Sequence, residues 1–199
     1  MDPELVAQFV ASYEQHGGRY LGGQSIQSVQ WDGAAHVVTL LGDGQFIKSE
    51  KLLVALGRQA NIEDLNLSAA GLEVNAKGSL SVNQFCQTVV PHIYAVGDMV
   101  GAPALASKAM EQGRRAVRHA LDLPIGDAAS TIPIGVYSIP EMASIGLDEK
   151  MANDRYRNPI VGRAKFEEVA RAQISGAGHG LLKMIADPQG ERLLGVQVV

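Results

Sequence analysis

The sequence predicts a mixed fold, α/β joined to α+β, and three observations carry that prediction. Two short apolar runs, Leu52 to Leu56 and Ile93 to Val96, each end in a glycine followed by a charged residue, Gly57-Arg58 and Gly97-Asp98. Runs without polar alternation suit parallel strands covered on both faces. A helical stretch from Ala104 to Leu121 follows the second run, in the strand-loop-helix order of a parallel sheet. After Pro124 the composition shifts to β-branched runs broken by prolines, the pattern of an antiparallel sheet with a helix.

Taken in order, Asp2-Pro3-Glu4 is a helix start, with Asp2 as N-cap and Pro3 in the first turn. Leu5, Phe9, Val10 and Tyr13 continue at helical spacing until Gly17-Gly18. Strand-like runs at Ser25 to Trp31 and His36 to Leu41 are separated by Asp32-Gly33, with a second turn at Gly42-Asp43-Gly44, and predict a small antiparallel meander. Asn61 to Pro91 reads as a loop-rich connector, with turns at Gly71 and Lys77-Gly78 and a short alternating strand at Ser79 to Val82. Leu123 to Asp127 is a linker. Beyond it, strands are expected at Ile134 to Ile139, Ile160 to Phe166, Gly180 to Ala186 and Leu193 to Val199, with a helix near Asp148 to Asp154. The last residues lie inside an apolar strand, which predicts a truncated domain.

Composition narrows the function classes. Of 199 residues, 46% are hydrophobic and 19% charged, with a mean hydropathy of +0.04, values of an ordinary globular protein. No apolar run approaches the ~18 residues of a membrane span, and the N-terminus lacks the basic and apolar regions of a secretory signal. Cys86 is the single cysteine, so no internal disulfide or redox pair can form, and a cytoplasmic location is expected. A net charge of −4 argues against a nucleic-acid partner. Arg114, Arg115 and Arg118 fall toward a helix C-terminus, where cations oppose the dipole. The five histidines show no metal-ligand spacing.

The chemistry concentrates at Gly97-Asp98. In open α/β sheets ligands bind beyond the carboxyl ends of the strands, where a carboxylate can accept hydrogen bonds from ribose or ribityl hydroxyls. The helix beginning near Ala104 would offer free N–H groups to the same crevice, stabilising negative charge by about 0.3–1 kcal/mol. Blander roles exist for each residue. Asp98 can be a turn or capping carboxylate, Gly57 can serve its backbone conformation, and Arg58 reads as a partner for a carboxylate or helix end. Glu111 and Arg115 have the spacing of a surface ion pair, and Cys86 reads as a small apolar residue.

Four stretches, LLVALGRQAN (Leu52 to Asn61), TVVPHIYAVGD (Thr88 to Asp98), LASKAMEQGRRA (Leu105 to Ala116) and IPIGVYSIPEMASIG (Ile132 to Gly146), together resemble the flavin-dependent pyridine nucleotide-disulfide oxidoreductase family. The resemblance covers nearly the whole chain. GRAKFEEVARAQISG (Gly162 to Gly176), with Asn83 and Gln87, is most similar to the soluble transhydrogenase branch. The resemblance implies the C-terminal parts of two FAD/NAD(P)-binding Rossmann-like domains followed by a truncated α+β dimerisation domain. Residues 1–61 would be the back half of the NAD(P)-binding domain, 62–123 the C-terminal part of the FAD-binding domain, and 124–199 the dimerisation domain of a homodimer.

By the same resemblance, Asp98 would bind the ribityl chain of FAD and Ala104, Leu105, Ala106 and Ser107 would lie beside its isoalloxazine. Gly57 would approach the nicotinamide nucleotide and Ile26 the adenosine. The implied activity passes hydride from NADPH through flavin to NAD. A disulfide reductase resembling dihydrolipoamide dehydrogenase, or a non-catalytic dimerisation module, are the alternatives. No G-x-G-x-x-G, no cysteine pair and no C-terminal histidine-acid pair of the family occurs in these 199 residues, so no catalytic residue is assigned. A charge-assisted hydrogen bond from Asp98 contributes roughly 1.5–3 kcal/mol, whereas nanomolar binding needs ~12. The chain by itself is therefore expected to be flavin-free and inactive.

Overall fold

Asp2 caps the first helix, α1 (Pro3–Gln15), by accepting the Glu4 N–H at 2.9 Å. The computed structural model describes residues 1–126, 131–176 and 178–199. The apolar stripe of α1 packs on strands far from it in sequence. Leu5, wholly buried, and Phe9 pack with Val136, Met142, Leu181 and Val199 at the other end of the chain.

The predicted meander forms as β1 (Ile26–Trp31), β2 (Val37–Leu41) and β3 (Phe46–Ser49), antiparallel in that order. Asp32 fixes its first turn by accepting the N–H groups of Ala34, Ala35 and His36 at 2.9–3.0 Å. Those donors, His36 foremost, hold its carboxyl well below the usual range.

The two apolar runs depart from expectation. Residues 50–62 form no strand, and Leu53, Val54 and Leu56 are 88%, 69% and 78% exposed. Ile93 to Val96 makes a single bridge, Gln87 with Tyr94, and Ser79 to Val82 reduces to the bridge Val74 with Leu80. A parallel strand is held by ladders on its two edges, and the described residues supply none to either run. What forms around the second run is a small core of Leu72, Leu80 and Ala95, flanked by Ile93, Val82 and Val100.

Helix α2 (Ala106–Ala120) begins two residues later than predicted. Arg115 is buried and donates to the Gly126 carbonyl, while Arg118 donates to that of Pro124, so these cations tie down the linker. Asp127, in the predicted linker, lies outside the described residues. Glu111 pairs with Arg114 at 2.7 Å, not with Arg115, because Arg115 is turned inward.

The C-terminal unit is a five-stranded antiparallel sheet in the order β4 (Ile134–Val136), β5 (Met142–Gly146), β8 (Leu193–Val198), β7 (Leu181–Ala186) and β6 (Ile160–Lys165). Helices α3 (Glu149–Arg155) and α4 (Ala170–Ser175) lie in its connections. Along β7, Leu181, Lys183 and Ile185 are buried while Leu182, Met184 and Ala186 are more open, the period-two pattern of a sheet covered on one side. Gly146 and Gly195 face one another across the β5–β8 pair. A Cβ on Gly195 would lie 2.0 Å from the Leu147 carbonyl oxygen, so the close approach of these backbones requires glycine.

Candidate cofactor-binding crevice

The ends of the two apolar runs, forty residues apart, meet in one cavity of about 1070 Å³. Gly57 and Arg58 form one wall, Asp98 and Gly101 another, and Ala104, Lys77 and Ser79 complete the lining together with residues of the 59–68 segment. Its size is at the upper end of the range for small-molecule sites. Arg58 Nε donates to Asp98 Oδ2 at 2.7 Å, which is the carboxylate partner expected for Arg58. With the two side chains 72% and 34% exposed, this pair is worth under about 1 kcal/mol, so a ligand hydroxyl can displace it.

Two glycines give the site its shape. Gly57 has φ +62° and Gly97 has φ +79°, both in the left-handed region that favours glycine. Gly97 also faces α2, where an added Cβ would touch that of Ala109 at 3.4 Å, and its N–H donates to Gln112 Oε1 at 2.9 Å. Lys108 donates to the Gly101 carbonyl at 2.7 Å. Lys108 and Gln112 therefore hold the loop that carries Asp98 against the first turns of α2. Sequence reasoning passed over both, although their i, i+4 spacing beside a suspected binding loop is a readable signal.

The remaining expected residues are only partly gathered. Ala104 lines the cavity. Leu105 is the N-cap of α2 and supplies no side-chain cap, so the first-turn N–H groups of Ala106 and Ser107 have no partner within the helix. Ser107 lines a second cavity of about 300 Å³, beside Cys86, Lys108 and Arg115. Ile26 stands on β1, 53% exposed and opposite Leu41, and lines neither cavity. Cys86 is buried, and burial pushes its thiol up, as expected for an apolar role. Among the described residues no cluster of His, Cys, Asp or Glu could hold a metal ion, and no helix is long and apolar enough to cross a membrane.

Comparison with known proteins gives the family of the chain. Residues 1–113 match the pyridine nucleotide-disulphide oxidoreductase family, and residues 132–199 match the dimerisation domain of the same family. The chain belongs to that family. The soluble pyridine nucleotide transhydrogenase of Mycobacterium tuberculosis is 39% identical over 99% of this chain and 42% of its own length. That of Citrobacter koseri is 42% identical over 80% of the chain and 34% of its own length. The chain thus spans less than half the length of these relatives. Among solved structures, LpdA of Mycobacterium tuberculosis superposes with a TM-score of 0.88 at 26% identity, covering all of this chain and 43% of that one. The HOCl-induced flavoprotein disulfide reductase RclA of Escherichia coli, at 22% identity and a TM-score of 0.86 over 99% of this chain and 45% of its own, shares the fold.

Proposed function

We propose that the chain is the C-terminal part of an FAD-dependent pyridine nucleotide oxidoreductase of the soluble transhydrogenase type, moving hydride from NADPH to NAD. The observation that carries this reading is the convergence of Gly57, Asp98 and Ala104 on one cavity, in a chain 39% identical to a soluble pyridine nucleotide transhydrogenase. FAD, when bound, supplies a two-electron relay between the two nicotinamide nucleotides. Residues 1–61 belong to the NAD(P)-binding domain, 62–123 to the FAD-binding domain and 124–199 to the dimerisation domain of a cytoplasmic homodimer.

The residues fit an FAD. Asp98 presents a carboxylate into the cavity beside a weakly held arginine, which suits acceptance of hydrogen bonds from ribityl hydroxyls. The uncapped start of α2 at Leu105, Ala106 and Ser107 offers N–H groups to the electron-rich edge of an isoalloxazine, with Lys108 and Gln112 holding Asp98 in place. Gly57 lets the backbone approach a nicotinamide nucleotide. Ile26, exposed on β1 and outside both cavities, would meet an adenosine only on an open face.

The test has two arms. The 199-residue chain, incubated with FAD and desalted, should show no stoichiometric flavin absorbance. The full-length parent should retain flavin and lose most of it on Asp98→Ala, and initial rates with NADPH and an NAD analogue should give the parallel lines of a ping-pong scheme. Retained flavin in the Asp98→Ala parent removes Asp98 from the site. Intersecting lines, or turnover only with a disulfide acceptor, overturn the transhydrogenase reading.

A further inference from the structure

A dense charge cluster lies away from the crevice. Lys183 on β7, 3% exposed, places its Nζ 2.9 Å from Asp2, 2.7 Å from Glu4 and 2.7 Å from Glu149. Arg163, directly across the ladder on β6, donates to Glu4 at 3.0 Å and to Glu149 at 2.6 Å. The Asp2 carboxylate, itself wholly buried, also accepts the Glu4 N–H of α1 at 2.9 Å. One carboxylate therefore caps the N-terminus of α1 and neutralises a buried lysine.

The membership of these residues is what matters. Asp2 and Glu4 fall in the segment matching the oxidoreductase family, whereas Glu149, Arg163 and Lys183 fall in its dimerisation domain. Leu5 and Phe9 pack across the same boundary onto Met142 and Leu181, but apolar contact alone does not fix an orientation. A buried ion pair does, because every misaligned seating strands a charge away from water.

We propose that Asp2 and Lys183 form an interdomain latch, which seats α1 on the dimerisation sheet in one orientation and which acid releases without unfolding that sheet. The groups facing it are Asp2 and Glu4 on α1, Asp148 and Glu149 at the start of α3, Arg163 on β6 and Lys183 on β7; Gln197, opposite Lys183 on β8, is uncharged. For Glu4, the Lys183 hydrogen bond outweighs burial and lowers its pKa below 4.5. For Asp2, burial raises the pKa, but Lys183 and the Glu4 N–H reverse that and bring it below 3.8. Depressed carboxylates contribute stability that is full above pH 4.5 and is lost as pH falls through their folded values. Lys183, pulled down by burial and raised further by its three carboxylates, sits above 10.5, so its contribution is present below that value and is lost only as pH rises toward its folded pKa.

Hydrogen exchange read by mass spectrometry on the 199-residue chain tests the latch. Lys183→Met should cut protection of the α1 amides by about 100-fold, equivalent to ~3 kcal/mol, while β6, β7 and β8 stay within about threefold of the parent. Asp2→Asn, which keeps a good N-cap, should do the same and flatten the acid loss of α1 protection after correction for intrinsic exchange. The double variant should lose less than the product of the two single losses. Unchanged α1 protection in Lys183→Met, simultaneous loss from helix and sheet, or singles that multiply independently would each overturn the proposal.

Discussion

The C-terminal sheet and the stretch from Lys51 to Val96 are composed of the same kinds of residue, yet only the sheet forms its strands. Leu181 to Ala186 and Leu193 to Val198 pair with each other and with β5 and β6. Leu52 to Leu56 has a more continuous apolar run and pairs with nothing among the described residues. The difference teaches that an apolar run states how deeply a segment is meant to be buried, whereas strand formation depends on neighbours that must be present to complete the ladder. The sheet carries its neighbours within seventy residues of sequence. The runs at Leu52 and Ile93 find no ladder among the described residues.

The largest effect should come from disturbing the region whose pairing is complete. Gly195→Ala places a methyl against the Leu147 backbone, where no side-chain rotation can relieve the contact. We expect a loss of about 3 kcal/mol in urea unfolding followed by circular dichroism. Gly162→Ala, on β6 of the same sheet with open space around it, should change stability by under about 0.5 kcal/mol. Equal losses at the two positions would mean that strand propensity, not close backbone approach, governs the sheet.

What the sequence revealed and what it concealed follow the same division. Asp2 as N-cap, the meander, α3, β6, β7 and β8 were legible because each rests on a pattern within a few residues: a cap, a turn pair or a period of two. The site was legible in pieces, Gly57-Arg58 and Gly97-Asp98 separately, since both lie where apolar runs end. Their meeting through Arg58 and Asp98 was not, because nothing local encodes a contact across forty residues. The seat of α1 was hidden for the same reason: its stripe of Leu5 and Phe9 announces a buried face without naming the sheet, more than 120 residues away, that covers it. Lys183 was overlooked because one lysine in an apolar strand resembles an edge residue until its three carboxylates are brought to it.

An intermediate effect should report whether the strandless region is nonetheless folded. Cys86 is 5% exposed beside the small core of Leu72, Leu80 and Ala95, and burial raises its thiol, leaving less thiolate at any given pH. Its reaction with an aromatic disulfide reagent at pH 8 should be at least about tenfold slower than in denaturant. Matching rates would show that the 72–95 region opens freely and that its core does not exclude solvent.

The smallest effect should fall on the run that lacks its ladder. Leu53 is 88% exposed, so replacing it with serine removes almost no buried apolar area. Leu53→Ser should therefore shift the unfolding midpoint of the chain by under about 0.5 kcal/mol. It should also weaken self-association in sedimentation, because Leu53, Val54 and Leu56 present adjacent exposed apolar side chains. In the full-length parent the sign of the comparison reverses. If Leu52 to Leu56 there becomes a strand covered on both faces, the same substitution costs about 2–4 kcal/mol, the cost of a buried leucine lost to a smaller polar side chain. A parent as tolerant as the short chain would show that this run never enters a sheet, and that its apolar character serves a contact outside the family fold.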